Sequence, residues 1–210
     1  MIPSAPNLEF EGGLWDAGLD YIAGVDEAGR GALAGPVAAA AVILPSQKCI
    51  AQDLQGVRDS KEMSPAQRAS WALSIRAVCL TFGVGFASSE EIDLLGIIPA
   101  TRLAAQRAIK MLTPSPLHLL LDYLFIPDTP LPQTSLIKGD ARSLSIAAAS
   151  VLAKTSRDAV MCEMDERYPG YGFAGHKGYG TQAHRQAIEV LGPTFIHRMT
   201  FAPMRHKLCH

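Results

Sequence analysis

No pair of cysteines in this 210-residue chain has the spacing of a metal clip. Cys49, Cys79, Cys162 and Cys209 are scattered, with no C-x-x-C and no Cys/His pairing at zinc distances. A reduced, cytoplasmic chain is the expectation. Long hydrophobic runs are missing too. The longest, Ala32 to Leu44, contains Gly35 and Pro36 and falls short of the roughly 20 residues that a membrane span needs. The first thirteen residues carry no basic stretch and no apolar core, so no signal peptide is expected. Charge of one sign is not in excess either: 19 Lys and Arg stand against 20 Asp and Glu, a formal net charge of −1. That excludes a polybasic nucleic-acid coat and an acidic solubiliser. A phosphate-binding P-loop is absent, because His176 stands where the spacing from Gly170 and Gly175 requires lysine. There is no G-x-S-x-G, so Ser150 and His176 make no hydrolase triad. What is present is an ordinary globular composition, 48% hydrophobic and 19% charged, enough to build a core without disulfides.

Apolar periodicity predicts strands over Asp20–Glu27, Pro36–Leu44, Val78–Ala87, Leu117–Asp122 and Thr134–Ile137. Helix starts are marked at Ser64-Pro65-Ala66-Gln67 and Ser88-Ser89-Glu90-Glu91, both with capping-box spacing. Further helices are expected over Ala100–Met111, Ser143–Arg167 and Thr181–Leu191, the last stopped by Gly192-Pro193. Three early strands followed by crossovers imply an α/β fold with a mixed sheet flanked by helices. No repeat or linker interrupts residues 1–210. A catalytic core over about 20–160 and a C-terminal helical extension over about 161–210 are the expected parts of a single domain.

The sharpest local feature is Val25-Asp26-Glu27-Ala28-Gly29-Arg30-Gly31, where two adjacent acids end an apolar strand. Asp122 ends another, and Asp140 follows a third through Lys138-Gly139. A buried carboxylate needs a partner or a metal. Acids gathered from separate strand ends suit Mg²⁺, which takes oxygen ligands and needs few protein carboxylates. Strand-end capping or pairing with Arg and Lys is the competing account. Neighbours on a strand point to opposite faces, so Asp26 and Glu27 share a site only if the strand breaks or bulges there, or if Glu27 curls round on its longer stem. Five Lys and Arg lie between His176 and His210 (Lys177, Arg185, Arg198, Arg205, Lys207), with one acid, Glu189, and five of the six histidines. Either this flank is solvated surface or it faces phosphates. Lys154 and Arg157 share a helix face. Lys61 sits in a loop, and Tyr179 lies between Gly178 and Gly180, which suggests an exposed tip.

Taken together and in order, these segments resemble the ribonuclease HII family from about Tyr21 to about Arg205. The resemblance is carried by Gly24 to Gly31 with Leu33-Ala34-Gly35-Pro36-Val37, by Asp59-Ser60-Lys61, and by Ile92-Asp93-Leu94-Leu95-Gly96-Ile97 with Ala100-Thr101. It continues through Asp122, Lys138-Gly139-Asp140, Ala147 to Lys154 with Arg157-Asp158, Tyr171-Gly172-Phe173, His176-Lys177-Gly178-Tyr179, and Gly192-Pro193-Thr194 with His197-Arg198. It implies a ribonuclease H-like fold with a C-terminal helical extension. It also implies Mg²⁺- or Mn²⁺-dependent cleavage of RNA in RNA–DNA hybrids, and cutting 5′ of ribonucleotides embedded in duplex DNA. The family's catalytic and metal-binding carboxylates fall on Asp26, Glu27, Asp122 and Asp140, its ribose-sensing loop on Gly29, Arg30 and Gly31, and its ribose-side tyrosine on Tyr179. Lys61, Lys154 and Lys177 are the expected backbone contacts, on a surface with Arg157 that faces the duplex. Where the family often has glycine after the third carboxylate this chain has Tyr123; where it often has proline, this chain has Ala32 and Gly180. The rivals are a carboxylate–metal DNA nuclease on the same fold and a non-catalytic hybrid-binding module. A monomer with no membrane association is expected.

Overall fold

The second strand is built almost entirely of alanine and branched residues, and it forms the centre of the molecule. The computed structural model describes residues 2–127 and 129–204. Arg205, Lys207 and Cys209 therefore lie outside the described residues. Five strands, β1 (Ile22–Ala28), β2 (Val37–Ile43), β3 (Thr81–Ala87), β4 (His118–Asp122) and β5 (Gln133–Leu136), form one sheet in the order β3-β2-β1-β4-β5. β1 pairs antiparallel with β2, and β2 with β3; β4 runs parallel to both β1 and β5. The expected meander joined to crossovers is what forms.

Helices cover both faces. They are α1 (Glu9–Asp16), α2 (Ile50–Asp53), α3 (Pro65–Val78), α4 (Ser89–Leu95), α5 (Ile97–Lys110), α6 (Leu144–Arg167), α7 (Phe173–His176) and α8 (Gln182–Leu191). The period-2 alternation of the strands decides which side chain meets which helix. Ala23, Val25, Ala39, Ala41, Leu119 and Leu121 pack with α5 through Ala100, Ala104 and Ala108. Ala40 and Val42 pack on the other side with Ala147 to Ala153 of α6. Small residues let α6 come close: a Cβ on Gly24 would overlap the Ser145 backbone. The third cluster, around Leu33, Met161, Tyr171, Phe173 and Ile188, joins the C-terminal helices to the loop after β1.

Capping chemistry held where it was expected. Ser64 and Ser88 close capping boxes with Gln67 and Glu91, and Ser143 and Thr181 cap α6 and α8. Several boundaries differ. α3 extends through Val78, so β3 begins only at Thr81. α5 begins at Ile97, because Gly96 at φ +85° breaks from α4 and Pro99 fits a first turn. The helix α1 carries no expectation from periodicity; its Glu11 is fully buried and accepts hydrogen bonds from the Ser143 hydroxyl and from both the N–H and hydroxyl of Ser145. α6 runs unbroken across residues 160–161, so the core and the C-terminal helices share one helix. Among the described residues no helix is long and apolar enough to cross a membrane.

Candidate active site

β1 and β4 are parallel neighbours in register, Val25 opposite Leu121, so the next residue of each strand, Asp26 and Asp122, arrives at the same edge. Both continue the alternation toward α6. Asp140 comes to them from the short 3₁₀ turn Gly139–Ala141 that precedes α6. The structure brings these three together: carboxylate oxygens of Asp26, Asp122 and Asp140 all lie within 4.8 Å of one another. Two of them are oriented by the backbone, since Glu27 N–H donates to Asp26 Oδ1 at 2.7 Å and Gly139 N–H to Asp122 Oδ1 at 2.7 Å.

Glu27 is the exception. The strand neither breaks nor bulges at it; pairing to β2 continues regularly through Ala28. Alternation therefore turns Glu27 toward the α5 side, outside the three-carboxylate group. It still lines the same depression, of about 520 Å³, with Asp26, Asp122, Arg30, Gly31, Lys61 and Tyr179. Its Oε1 accepts from Arg30 at 3.1 Å, whereas its buried Oε2 has no partner.

All four acids are pushed up from the ordinary carboxylate range. For Asp26 the rise is large, caused first by burial and then by the charges of Glu27 and Asp122, against hydrogen bonds from Ser150 and the Glu27 N–H. Burial also leads for Glu27, Asp122 and Asp140, with Asp122 raising the other two. Lys61 is the nearby cation, 3.7 Å from Asp140 and 3.8 Å from Asp59. Burial alone would lower its ammonium pKa; the surrounding aspartates outweigh that and raise it. Lys61 and Arg30, both exposed, are too few cations for four acids and leave the cluster with excess negative charge. Three converging carboxylates and an orphaned glutamate oxygen are the donor set of a hard divalent cation, and these residues fit one.

The loop Gly29-Arg30-Gly31 is held from beneath by two buried guanidiniums. Arg198 donates to the carbonyls of Gly29 (2.8 Å), Arg30 (2.8 Å) and Gly35 (3.0 Å). Arg157 donates to those of Pro36 (2.9 Å), Lys177 (3.0 Å) and Ala34 (3.2 Å). Both arginines are 0% exposed, which corrects the expectation of a duplex-facing surface that includes Arg157 and of a solvated or phosphate-facing Arg198. Burial pushes the Arg198 guanidinium down to about 9, with the Arg157 charge adding to it. Gly29 must be glycine for an internal reason: φ is +92° and a Cβ would collide with Arg157. Gly31 is different, exposed and with nothing near its missing Cβ. Among the described residues no protein acceptor meets the N–H of Arg30 or Gly31.

Tyr179 is half-buried, not an exposed tip. Its ring lies over Lys154 Nζ at 5.6 Å and Arg157 Cζ at 5.4 Å. Gly178 beside it packs on the Leu33–Ala34 backbone, its carbonyl accepting from the Leu33 N–H at 2.8 Å. Lys154 is paired to Asp158 at 2.7 Å. Lys177 turns its ammonium onto the Ala174 carbonyl. Both lysines line a second groove, beyond Tyr179 and away from the carboxylates. A third depression, past Asp122 and Asp140, is lined by Lys138, Arg58 and Tyr123. Tyr123 adopts φ +50°, which is why glycine suits that position. His176, His184 and His197 are not surface histidines; they pack with Phe173. Sequence reasoning missed Ser150 and Ser60, whose hydroxyls lie 2.8 Å apart behind Asp26. Their place inside the motifs was the available signal.

A family model for ribonuclease HII matches residues 23–204. A ribonuclease HII of Synechococcus sp. (strain JA-3-3Ab) is 53% identical over 200 residues, covering 95% of this chain and 90% of that one. One from Dehalococcoides mccartyi is 49% identical over 205 residues, covering 95% and 94%. The crystal structure of ribonuclease H2 from Pyrococcus horikoshii OT3 superposes with a TM-score of 0.72 at 23% identity, over 88% of this chain and 95% of that one, which shows a shared fold. With this sequence match over the whole sheet and its carboxylate edge, the chain belongs to the ribonuclease HII family, the divalent-metal-dependent endoribonucleases that hydrolyse RNA in RNA–DNA hybrids.

Proposed function

We propose that the chain also cuts on the 5′ side of single ribonucleotides embedded in duplex DNA, leaving 3′-hydroxyl and 5′-phosphate ends. Asp26, Glu27, Asp122 and Asp140 are the catalytic carboxylates in this reading and would hold Mg²⁺ or Mn²⁺. The observation that carries it is the sharing of one depression by Asp26, Glu27, Asp122, Gly31 and Tyr179. The chemistry that a pair of such ions supplies when bound is charge at the attacking water and at the leaving oxygen of a phosphodiester.

The chain's own groups do the rest. Backbone N–H groups fix Asp26 and Asp122 in place. Arg198 draws the Gly29 and Arg30 carbonyls inward, which leaves the Arg30 and Gly31 N–H groups free to meet a 2′-oxygen. Backbone donors read the hydroxyl without reading the base. Tyr179 closes on the same sugar from the C-terminal side. Lys61 meets a phosphate near the cut. Lys154 and Lys177 flank the groove beyond Tyr179, where a backbone continues. We place this activity in the cytoplasm and in a monomer.

A DNA nuclease on this fold would have no use for a loop with outward N–H groups beside the metal site. A mere binding module would not bury four acids against a polyanion. The test is a DNA duplex with one ribonucleotide, incubated with Mg²⁺ and then with Mn²⁺, with both product ends mapped. A single cut 5′ of the ribonucleotide is expected; cutting of all-DNA duplex, or no cutting with either ion, would overturn the proposal.

A further inference from the structure

We propose that His184 and His197 form a positioning pair that sets Tyr179 for ribose recognition. This rests on the reading of Tyr179 given above. Tyr179 lies in the segment between α7 and α8, and its backbone is held at both ends. Its N–H donates to the His176 carbonyl at 2.9 Å. Its carbonyl lies 3.0 Å from His184 Nδ1. A carbonyl only accepts, so the His184 proton sits on Nδ1 and its Nε2 is an acceptor when the ring is neutral. That Nε2 lies 3.1 Å from His197 Nε2.

The other end of the chain demands the same arrangement. The Thr194 N–H donates to His197 Nδ1 at 2.8 Å, so the His197 proton sits on Nε2, aimed at His184. Two independent termini thus force one polarity: Thr194 N–H to His197, His197 to His184, His184 to the Tyr179 carbonyl. Both rings are buried, 0% and 1% exposed. Burial lowers both, with the charge of His176 adding at His184 and that of His184 adding at His197, which is pushed down to about 4.

The placement of this chain is what gives it a role. It starts beside Arg198, which braces Gly29 and Arg30, and it ends on Tyr179. The directional hydrogen-bond path that ends on Tyr179 is therefore joined to the brace of the Gly29-Arg30 loop by the covalent step from His197 to Arg198. Only a neutral imidazole can donate from one nitrogen and accept at the other across this gap. An asparagine at 184 would keep a donor near the Nδ1 place and lose the acceptor toward His197. A glutamine would place its amide near the Nε2 place and lose the donor to the Tyr179 carbonyl.

The experiment measures kcat/KM on a duplex with one embedded ribonucleotide and on a long RNA–DNA hybrid, and takes their ratio. His184→Gln should lower the ratio about five- to tenfold, the worth of one buried hydrogen bond. His184→Asn should recover it to within about twofold of the starting protein on the same scale. In a Tyr179→Ala background, His184→Gln should change the ratio no further. Equal loss in both backgrounds, or equal loss from Asn and Gln, would make the pair a packing element and overturn the proposal. Failure of both variants to fold would do the same. If Tyr179→Ala alone leaves the ratio unchanged, it is the reading of Tyr179 that fails, and that outcome is distinct from the others.

Discussion

The carboxylate edge and the arginine–histidine support behind it differ in how well their charges are met. At the edge, Asp26, Glu27, Asp122 and Asp140 are buried with too few partners, and all are pushed up from their ordinary range. In the support, Arg157 and Arg198 are more deeply buried, yet they spend their guanidinium donors on six carbonyls. In the proposed reading, one region is left unsatisfied so that it can take up a cation. The other is saturated so that it holds a loop still. Stability and function should therefore separate between them.

The largest effect is expected at the edge. Asp26→Asn should lower cleavage of a hybrid by about a thousandfold or more, because it removes charge aimed at the reacting phosphate. It should leave the urea midpoint unchanged or raise it, since a strained, buried charge is gone. A protein that loses stability along with activity would break the contrast.

Arg198→Met should do the opposite in balance. It strands the carbonyls of Gly29, Arg30 and Gly35 and should cost about 3 kcal/mol in urea unfolding. Arg198→Lys should recover little of this, because an ammonium cannot fork across Gly29 and Arg30. Recovery by lysine would show that charge alone mattered.

The two regions should also bend the pH dependence in opposite directions. His197 is held at about 4, below its ordinary 6.5, so the unfolded chain binds its proton first. Its contribution is fully present above pH 6.5 and is lost as pH falls toward 4, on the order of 2 to 3 kcal/mol. The raised carboxylates run the other way: their cost is present when ionised and is relieved as pH falls. Urea midpoints from pH 7 to pH 4 should thus fall more steeply for Asp26→Asn and more gently for His197→Gln.

The smallest effect concerns Lys61, whose side chain is 76% exposed. Its replacement by alanine should weaken duplex binding uniformly and reduce the log–log salt slope by about 1, one phosphate contact. A slope that stays put would remove Lys61 from the backbone contacts.

What the sequence disclosed follows the same division. Strand-end acids such as Asp26 and Asp122 stand out because a carboxylate breaking an apolar run is visible in one sequence. Helix caps at Ser64, Ser88 and Thr181 are local chemistry, and they formed as expected. Burial is not local. Arg157 reads as a surface cation because its carbonyl partners come from residues 34, 36 and 177, which only the fold brings near. Arg198 and the histidines were hidden for the same reason. Glu27 is the instructive intermediate: alternation alone says that it faces away from Asp26, and the regular strand obeys.

On the proposed reading, the unsatisfied edge holds a divalent cation. Titrating Mn²⁺ into the protein without nucleic acid, followed by calorimetry or by the Mn²⁺ paramagnetic signal, tests it most directly. Saturable binding that is lost in both Asp26→Asn and Asp122→Asn, with the fold intact, is the predicted result. Binding that survives both substitutions would contradict the account.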